Sequence, residues 1–152
     1  MRKLSIFLFT AFCFIHVNVT QAWAAIQLDY CVDPSGASGG SYNSYFTSLQ
    51  SALTAAESNN APTVIDVTQG THVGNFIYSS SQMYDLSLRG GFLAGCTARL
   101  LNPSNTVLNG LSTGITLDFE STVGAHVNIE GFSFINGTSF YGGGGLRVNT
   151  SS

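Results

Sequence analysis

Leu88-Arg89-Gly90, Leu108-Asn109-Gly110 and Ile129-Glu130-Gly131 spell one phrase three times: an apolar residue, any residue, then glycine. The copies lie 20 and 21 residues apart. One step earlier, Val67 closes the run Val64-Ile65-Asp66-Val67; one step later, Val148 closes Leu146-Arg147-Val148. Each phrase ends a stretch in which apolar residues recur at every second position, the period of a strand. Further short strands are expected at residues 76–78, 115–119 and 132–135. A repeat of about 20 residues holding two or three short strands is the pattern of a stacked β-solenoid. The expected fold is therefore all-β, a solenoid of about five rungs with equivalent strands about 4.8 Å apart in parallel sheets. In that register Ile65, Leu86, Thr106, Val127 and Leu146 form one inward column. Val67, Leu88, Leu108, Ile129 and Val148 form the next, and Thr68, Arg89, Asn109, Glu130 and Asn149 point outward.

Upstream of residue 62 the period is different. Residues 26–32 alternate as a first strand, and 33–40 (DPSGASGG) form a turn-rich loop. Tyr42, Phe46, Leu49, Leu53 and Ala56 fall on one helical face, which predicts a helix over 42–58 with Ser41 as its N-cap. Its expected task is to cap the first rung and block edge-to-edge pairing. The chain thus divides into a targeting segment (1–24), a strand, loop and capping helix (25–62), and rungs (63–152). The last residues, from Leu146 on, end on a strand with no polar cap, so they read as a truncated frame or as an edge that meets a partner.

The first 24 residues carry a signal-peptide pattern. Arg2 and Lys3 precede an apolar stretch over 4–19, and Ala22-Trp23-Ala24 supplies the small-x-small site, so cleavage is expected after Ala24. His16, Asn18, Thr20 and Gln21 leave that stretch short of the roughly 20 apolar residues a membrane span needs. The expected location is secreted or cell-surface, with no transmembrane span. Removal of residues 1–24 leaves three arginines, no lysine and eight carboxylates. Without a basic patch to neutralise phosphates, nucleic acid is excluded as a partner. Charged residues make up only 9% of the whole chain, against about 25% in ordinary domains, while aromatics reach 12%, so disorder is excluded as well. Cys31 and Cys96 remain in the exported chain and most simply pair, closing a loop of about 64 residues. Two distant cysteines and two histidines, His72 and His126, are too few for a metal site.

From about Tyr42 to the end, the sequence resembles exported bacterial repeat proteins of the pectin-lyase-like class. The resemblance rests on Leu49-Gln50-Ser51-Ala52-Leu53, Ile65 to His72, Leu88 to Cys96, Pro103 to Gly110, Ile129 to Gly137 and Gly143 to Leu146. It implies a right-handed parallel β-helix. The hand comes from the resemblance alone, and the motifs speak for architecture more than for activity.

Chemistry is sparsely written. Gly110-Leu111-Ser112-Thr113-Gly114 matches the G-x-S-x-G elbow, and Asp118 and His126 follow in order, but a strand rather than a helix comes after it, so it reads as a polar corner. Asp118 and Glu120 lie two apart on one strand, both outward and about 7 Å apart. Such a pair suits acid/base work on a glycosidic bond or a Ca²⁺ ion, and equally suits a solvated acidic face. No cofactor is otherwise expected. Arg89, Asn109 and Glu130 form an outward ladder over three rungs, with Arg89 and Glu130 about 10 Å apart, of a kind that grips sugar hydroxyls or offsets charge on a flat face. The expected function is an exported structural or surface module, adhesin-like or carbohydrate-interacting, without a catalytic cluster. Its expected partners are a polysaccharide or cell-surface component and a second copy met through the C-terminal edge. The alternative is a polysaccharide lyase or glycoside hydrolase whose active site lies partly or wholly in rungs beyond this sequence.

Overall fold

The computed structural model describes residues 26–140 and 143–150. The targeting segment and its cleavage site after Ala24 lie outside the described residues. In chain order the elements are β1 (Leu28–Val32), β2 (Ser44–Phe46), α1 (Leu49–Ala56), β3 (Thr63–Thr68), β4 (Gly70–Val73), β5 (Phe76–Ser80) and β6 (Leu86–Phe92). After them come β7 (Thr106–Asn109), β8 (Leu117–Ser121), β9 (Val127–Glu130), β10 (Ser133–Ile135) and β11 (Leu146–Thr150). The strands form three small sheets with parallel ladders. The first has the order β2-β1-β3-β6-β9, the second β10-β7-β4, and the third β11-β8-β5.

This arrangement overturns the expected right-handed parallel β-helix. The described strands make separate sheets of five, three and three strands with one helix. The predicted columns hold only in part. In the first sheet Leu86 is the partner of Val127 and Leu88 of Ile129, as expected, but Ile65 is the partner of Leu88, two positions out of the expected register. Leu108 stands in the second sheet between His72 and Phe134, and Val148 stands in the third beside Phe119. The physical reason is that the apolar-x-glycine phrase is a local signal: it closes β7 and β9 but lies inside β6, where Gly90 meets the Gly131 carbonyl. It recurs in strands of different sheets and does not say which sheet a strand joins.

Several boundaries move too. The helix expected over 42–58 spans Leu49–Ala56, and its N-cap is Ser48, not Ser41; the Ser48 hydroxyl accepts from the Ser51 N–H at 3.1 Å. Tyr45 and Phe46, expected on that helix, lie on β2, which pairs with β1. The local 3-4 spacing of apolar residues is shared by the strand and the helix, and Ser48 decides where helix begins.

The three sheets and α1 enclose one apolar core, with Ile65, Leu88, Leu108, Leu117 and Phe119 buried at its centre. Tyr78 and Phe119 stack in it with ring centroids 4.6 Å apart. Leu49, Ala52, Leu53 and Ala56 are buried, so one stripe of the short helix faces this core. Burial of each leucine is worth about 1.5–3 kcal/mol, which holds a helix too short to persist alone. The polar side of α1 closes the edge of the third sheet. Gln50 accepts from the Ile77 N–H and donates to the Ile77 carbonyl, both at 2.8 Å, while Glu57 accepts from the Ser79 N–H at 2.8 Å.

Turns between sheets are built from asparagine and glycine. Asn136 donates to the Asn109 carboxamide oxygen at 3.1 Å, and Asn75 donates to the Ile115 carbonyl at 2.9 Å. At Gly90 a side chain would strike the Gly131 carbonyl, so the closeness of β6 to the turn after β9 requires glycine there. Among the described residues no helix is long and apolar enough to cross a membrane.

Candidate functional site

The outer face of the first sheet carries a row of four cross-strand partners: Cys31, Asp66, Arg89 and Glu130. Strand alternation puts these side chains opposite the core. Asp66 is nevertheless buried, 1% exposed, because the chain after β1 and the turn after β6 fold over it. The Cys31–Cys96 disulfide clamps that turn to β1. Asp33 fixes the same turn by accepting from the Gly95 N–H at 2.6 Å. Gly95 has φ +65°, and a side chain there would press on Gly39, so this tight approach also needs glycine.

A buried carboxylate must be paired and hydrogen-bonded. Asp66 receives Nε and Nη2 of Arg89 on its two oxygens at 2.7 and 2.8 Å, and the Tyr42 hydroxyl donates to Oδ2 at 2.7 Å. Burial, then the hydrogen bond to Asp66 and its charge, push the Tyr42 hydroxyl well above the ordinary tyrosine value. Tyr42 therefore stays a protonated donor, not a base. The hydrogen bond to Asp66 raises the Arg89 guanidinium pKa despite its desolvation, so that charge is permanent. Next along the row, Glu130 accepts from Arg99 Nη1 at 2.7 Å. Phe92 lies beneath both guanidinium groups, 5.6 Å from Arg89 and 5.5 Å from Arg99, within cation–π range. A groove of about 430 Å³ opens over this network, lined by Gln27, Asp29, Tyr42, Asp66, Arg89 and Thr97.

The expected ladder Arg89-Asn109-Glu130 is thereby corrected. Arg89 and Glu130 are direct partners on adjacent strands, each bound to another residue, and Asn109 lies in the second sheet within the asparagine turns. Asp118 and Glu120 share the outer side of β8 in the third sheet. They are not two open carboxylates, because Arg147 grips both Asp118 oxygens through Nε at 2.7 Å and Nη2, leaving Glu120 exposed alone. Ser112, Asp118 and His126 do not assemble. Ser112 lies in a left-handed turn at φ +58°, Asp118 is held by Arg147, and the His126 N–H donates to Asp85 at 2.9 Å. His72 is buried on β4 with Nε2 2.9 Å from the Thr68 carbonyl. Among the described residues no three His, Cys, Asp or Glu side chains group as metal ligands.

Five residues of the groove escaped the sequence reading: Gln27, Asp29, Tyr42, Asp66 and Thr97. Asp66 had a signal, a lone charge inside the apolar run Val64-Ile65-Asp66-Val67, which foretells a buried pair. Tyr42 had none, since its spacing matched a helical face. No protein-family model matches the chain, and no curated protein or solved structure matches it either.

Proposed function

We propose that this chain is an exported, disulfide-braced surface module that binds carbohydrate in the groove over Tyr42, Asp66 and Arg89. Export is supported by the pattern in residues 1–24 and is consistent with the Cys31–Cys96 bridge. The carrying observation is the groove itself: about 430 Å³, polar, and bounded by donors and acceptors on a rigid sheet. Sugar rings present hydroxyls that need fixed partners of both kinds. Asp66 spends its oxygens on Arg89 and Tyr42, so it holds the site rather than touching ligand. Ligand meets the remaining Arg89 N–H groups, the Asp29 carboxylate, the Gln27 amide and the Thr97 hydroxyl.

Charge selects among sugars. Two carboxylates, Asp29 and Asp66, line the groove against one guanidinium, Arg89, so the site is net negative and disfavours uronates. The ligand class is a neutral oligosaccharide. Isothermal titration with a neutral xylo- or gluco-oligosaccharide and with an oligogalacturonate tests this. The neutral sugar is expected to bind at least tenfold more tightly, and Asp29→Asn with Thr97→Val is expected to weaken it without unfolding the protein. Equal binding of both sugars, or tighter binding of the galacturonate, overturns the charge argument. Binding of neither overturns the proposal.

A further inference from the structure

The three sheets differ at the edge nearest the N-terminal part of the chain. In the first sheet the side of β3 away from β6 is filled by β1, and β1 in turn by β2. In the third sheet the outer backbone groups of β5 are taken by Gln50 and Glu57. In the second sheet β4 is the edge, and no strand among the described residues pairs with its outer side; Leu49 at the start of α1 borders it. The Gly74 N–H donates to the Asn109 carbonyl at 2.9 Å, so Gly70, His72 and Gly74 turn their backbone groups toward β7. By the two-residue alternation of a parallel ladder, Thr71 and Val73 turn theirs away, into the open side. Thr71 is exposed, and Val73 is 56% exposed.

Beside this edge lie two adjoining depressions of about 400 and about 230 Å³, both bordered by Pro34, Thr71 and His72. They differ in character. The larger reaches Asp33 and Gln69, and the smaller reaches Leu49, Val73 and Phe76. Burial would raise the Asp33 carboxyl, but the Gly95 N–H and then the Ser35 hydroxyl and N–H outweigh it, so Asp33 is held below its ordinary value and is anionic. Among the described residues no lysine or arginine lines either depression.

We infer that the free edge of β4 docks an extended polypeptide strand carrying a basic residue, in backbone register with Thr71 and Val73. A row of N–H and C=O groups at strand spacing is matched by another backbone, the pairing used in strand addition. Alternate side chains of the added strand lie about 7 Å apart on one side. A basic side chain is drawn to the mouth of the larger depression by the charge of Asp33, whose oxygens are already held by Ser35 and Gly95, and an apolar one at that spacing fills the Leu49–Phe76 depression. The proposal is independent of the carbohydrate groove, which lies over Tyr42 and Asp66.

The test uses the whole chain and the peptide acetyl-Thr-Lys-Thr-Val-Thr-amide, with amide hydrogen exchange and fluorescence anisotropy as readouts. In the free protein the Thr71 and Val73 amides are expected to exchange faster than that of His72, and saturating peptide to slow them at least tenfold. A glutamate in place of the peptide's lysine, or N-methylation of its alternate amides, is expected to weaken binding at least tenfold. Val73→Pro removes one outward N–H without a ladder bond and is expected to weaken binding likewise, with the near-UV circular dichroism unchanged. Absence of binding at millimolar peptide overturns the inference. So does binding indifferent to N-methylation, or protection of Thr71 and Val73 by a second copy of the protein instead of the peptide. Should Val73→Pro disturb the fold, the exchange data on the unaltered protein still decide.

Discussion

Asp66 and Arg89 face each other across β3 and β6 and meet through two hydrogen bonds, Nε to Oδ1 at 2.7 Å and Nη2 to Oδ2 at 2.8 Å. One partner is sealed from water and the other reaches the groove, with side-chain exposures of 2% and 36%. The pair therefore joins the body of the first sheet to its outer surface. Arg89→Leu leaves a buried carboxylate with only Tyr42, and the expected loss is about 3–5 kcal/mol. Asp66→Leu with Arg89→Leu is expected to lose less than the sum of the single changes, because no charge is stranded. Urea unfolding of the two single variants and the double variant measures the difference, and strict additivity would mean that the pair is not coupled.

Reduction of the Cys31–Cys96 bridge frees a span with a sequence separation of 65. The chain-entropy account gives about 4 kcal/mol for a loop of that size. The bridged turn also holds Tyr42, whose hydroxyl donates to the Cys96 carbonyl at 3.2 Å. Cys31→Ser with Cys96→Ser is thus expected to lower both the unfolding midpoint and the affinity for neutral sugar. A variant that loses stability but binds as before would separate the bridge from the groove.

Asp33 predicts a pH dependence with a definite sign. Its native carboxyl titrates below the ordinary value of 3.8, so on acidification the unfolded chain takes up the proton first. Its stabilising contribution is whole above about pH 4 and is lost as pH falls through the lower native value. Asp33→Asn is expected to cost about 1.5–3 kcal/mol at pH 7, the worth of hydrogen bonds to a charged acceptor. That cost should shrink below pH 4, as a series of denaturant curves would show.

Gln50→Ala removes both hydrogen bonds to Ile77 on the edge of β5. The expected loss is about 1–2 kcal/mol, with faster exchange of the Ile77 amide and no change at Leu88 in the first sheet. Uniformly faster exchange would mean that α1 supports the whole core rather than this edge.

Gly90→Ala sets a methyl group against the Gly131 carbonyl. Backbone there cannot yield as a side chain would, so a loss at the upper end of the about 1–3 kcal/mol typical of overpacking is expected. A calorimetric midpoint equal to that of the parent protein would show that β6 and the turn after β9 are not so close.

Much of the strand content was legible because alternation is local. Ile65, Leu88, Leu117 and Phe119 announce their inward faces by their neighbours alone. Sheet membership was not legible: Leu88 and Leu108 sit in identical phrases but in different sheets, since the phrase is local and the partner is chosen by long-range packing. The disulfide was readable from cysteine counting. The groove was not, because it depends on Tyr42 and Asp66 meeting at 2.7 Å across 24 positions of sequence, brought together by a loop that the clamp at Cys96 folds back. Arg89 and Glu130 were rightly placed together on one outer face, but Asn109 lies in another sheet, and Asp66 and Tyr42, which bind one another beside Arg89, were not foreseen.

The most direct test of the carbohydrate groove is an NMR titration of the ¹⁵N-labelled oxidised protein with a neutral oligosaccharide. The account predicts saturable shifts at the Arg89 side-chain N–H, the Gln27 amide and the backbone of Asp29 and Thr97, with the Asp118–Arg147 region unmoved. Shifts centred on Glu120 and Arg147, or none at millimolar sugar, would contradict it.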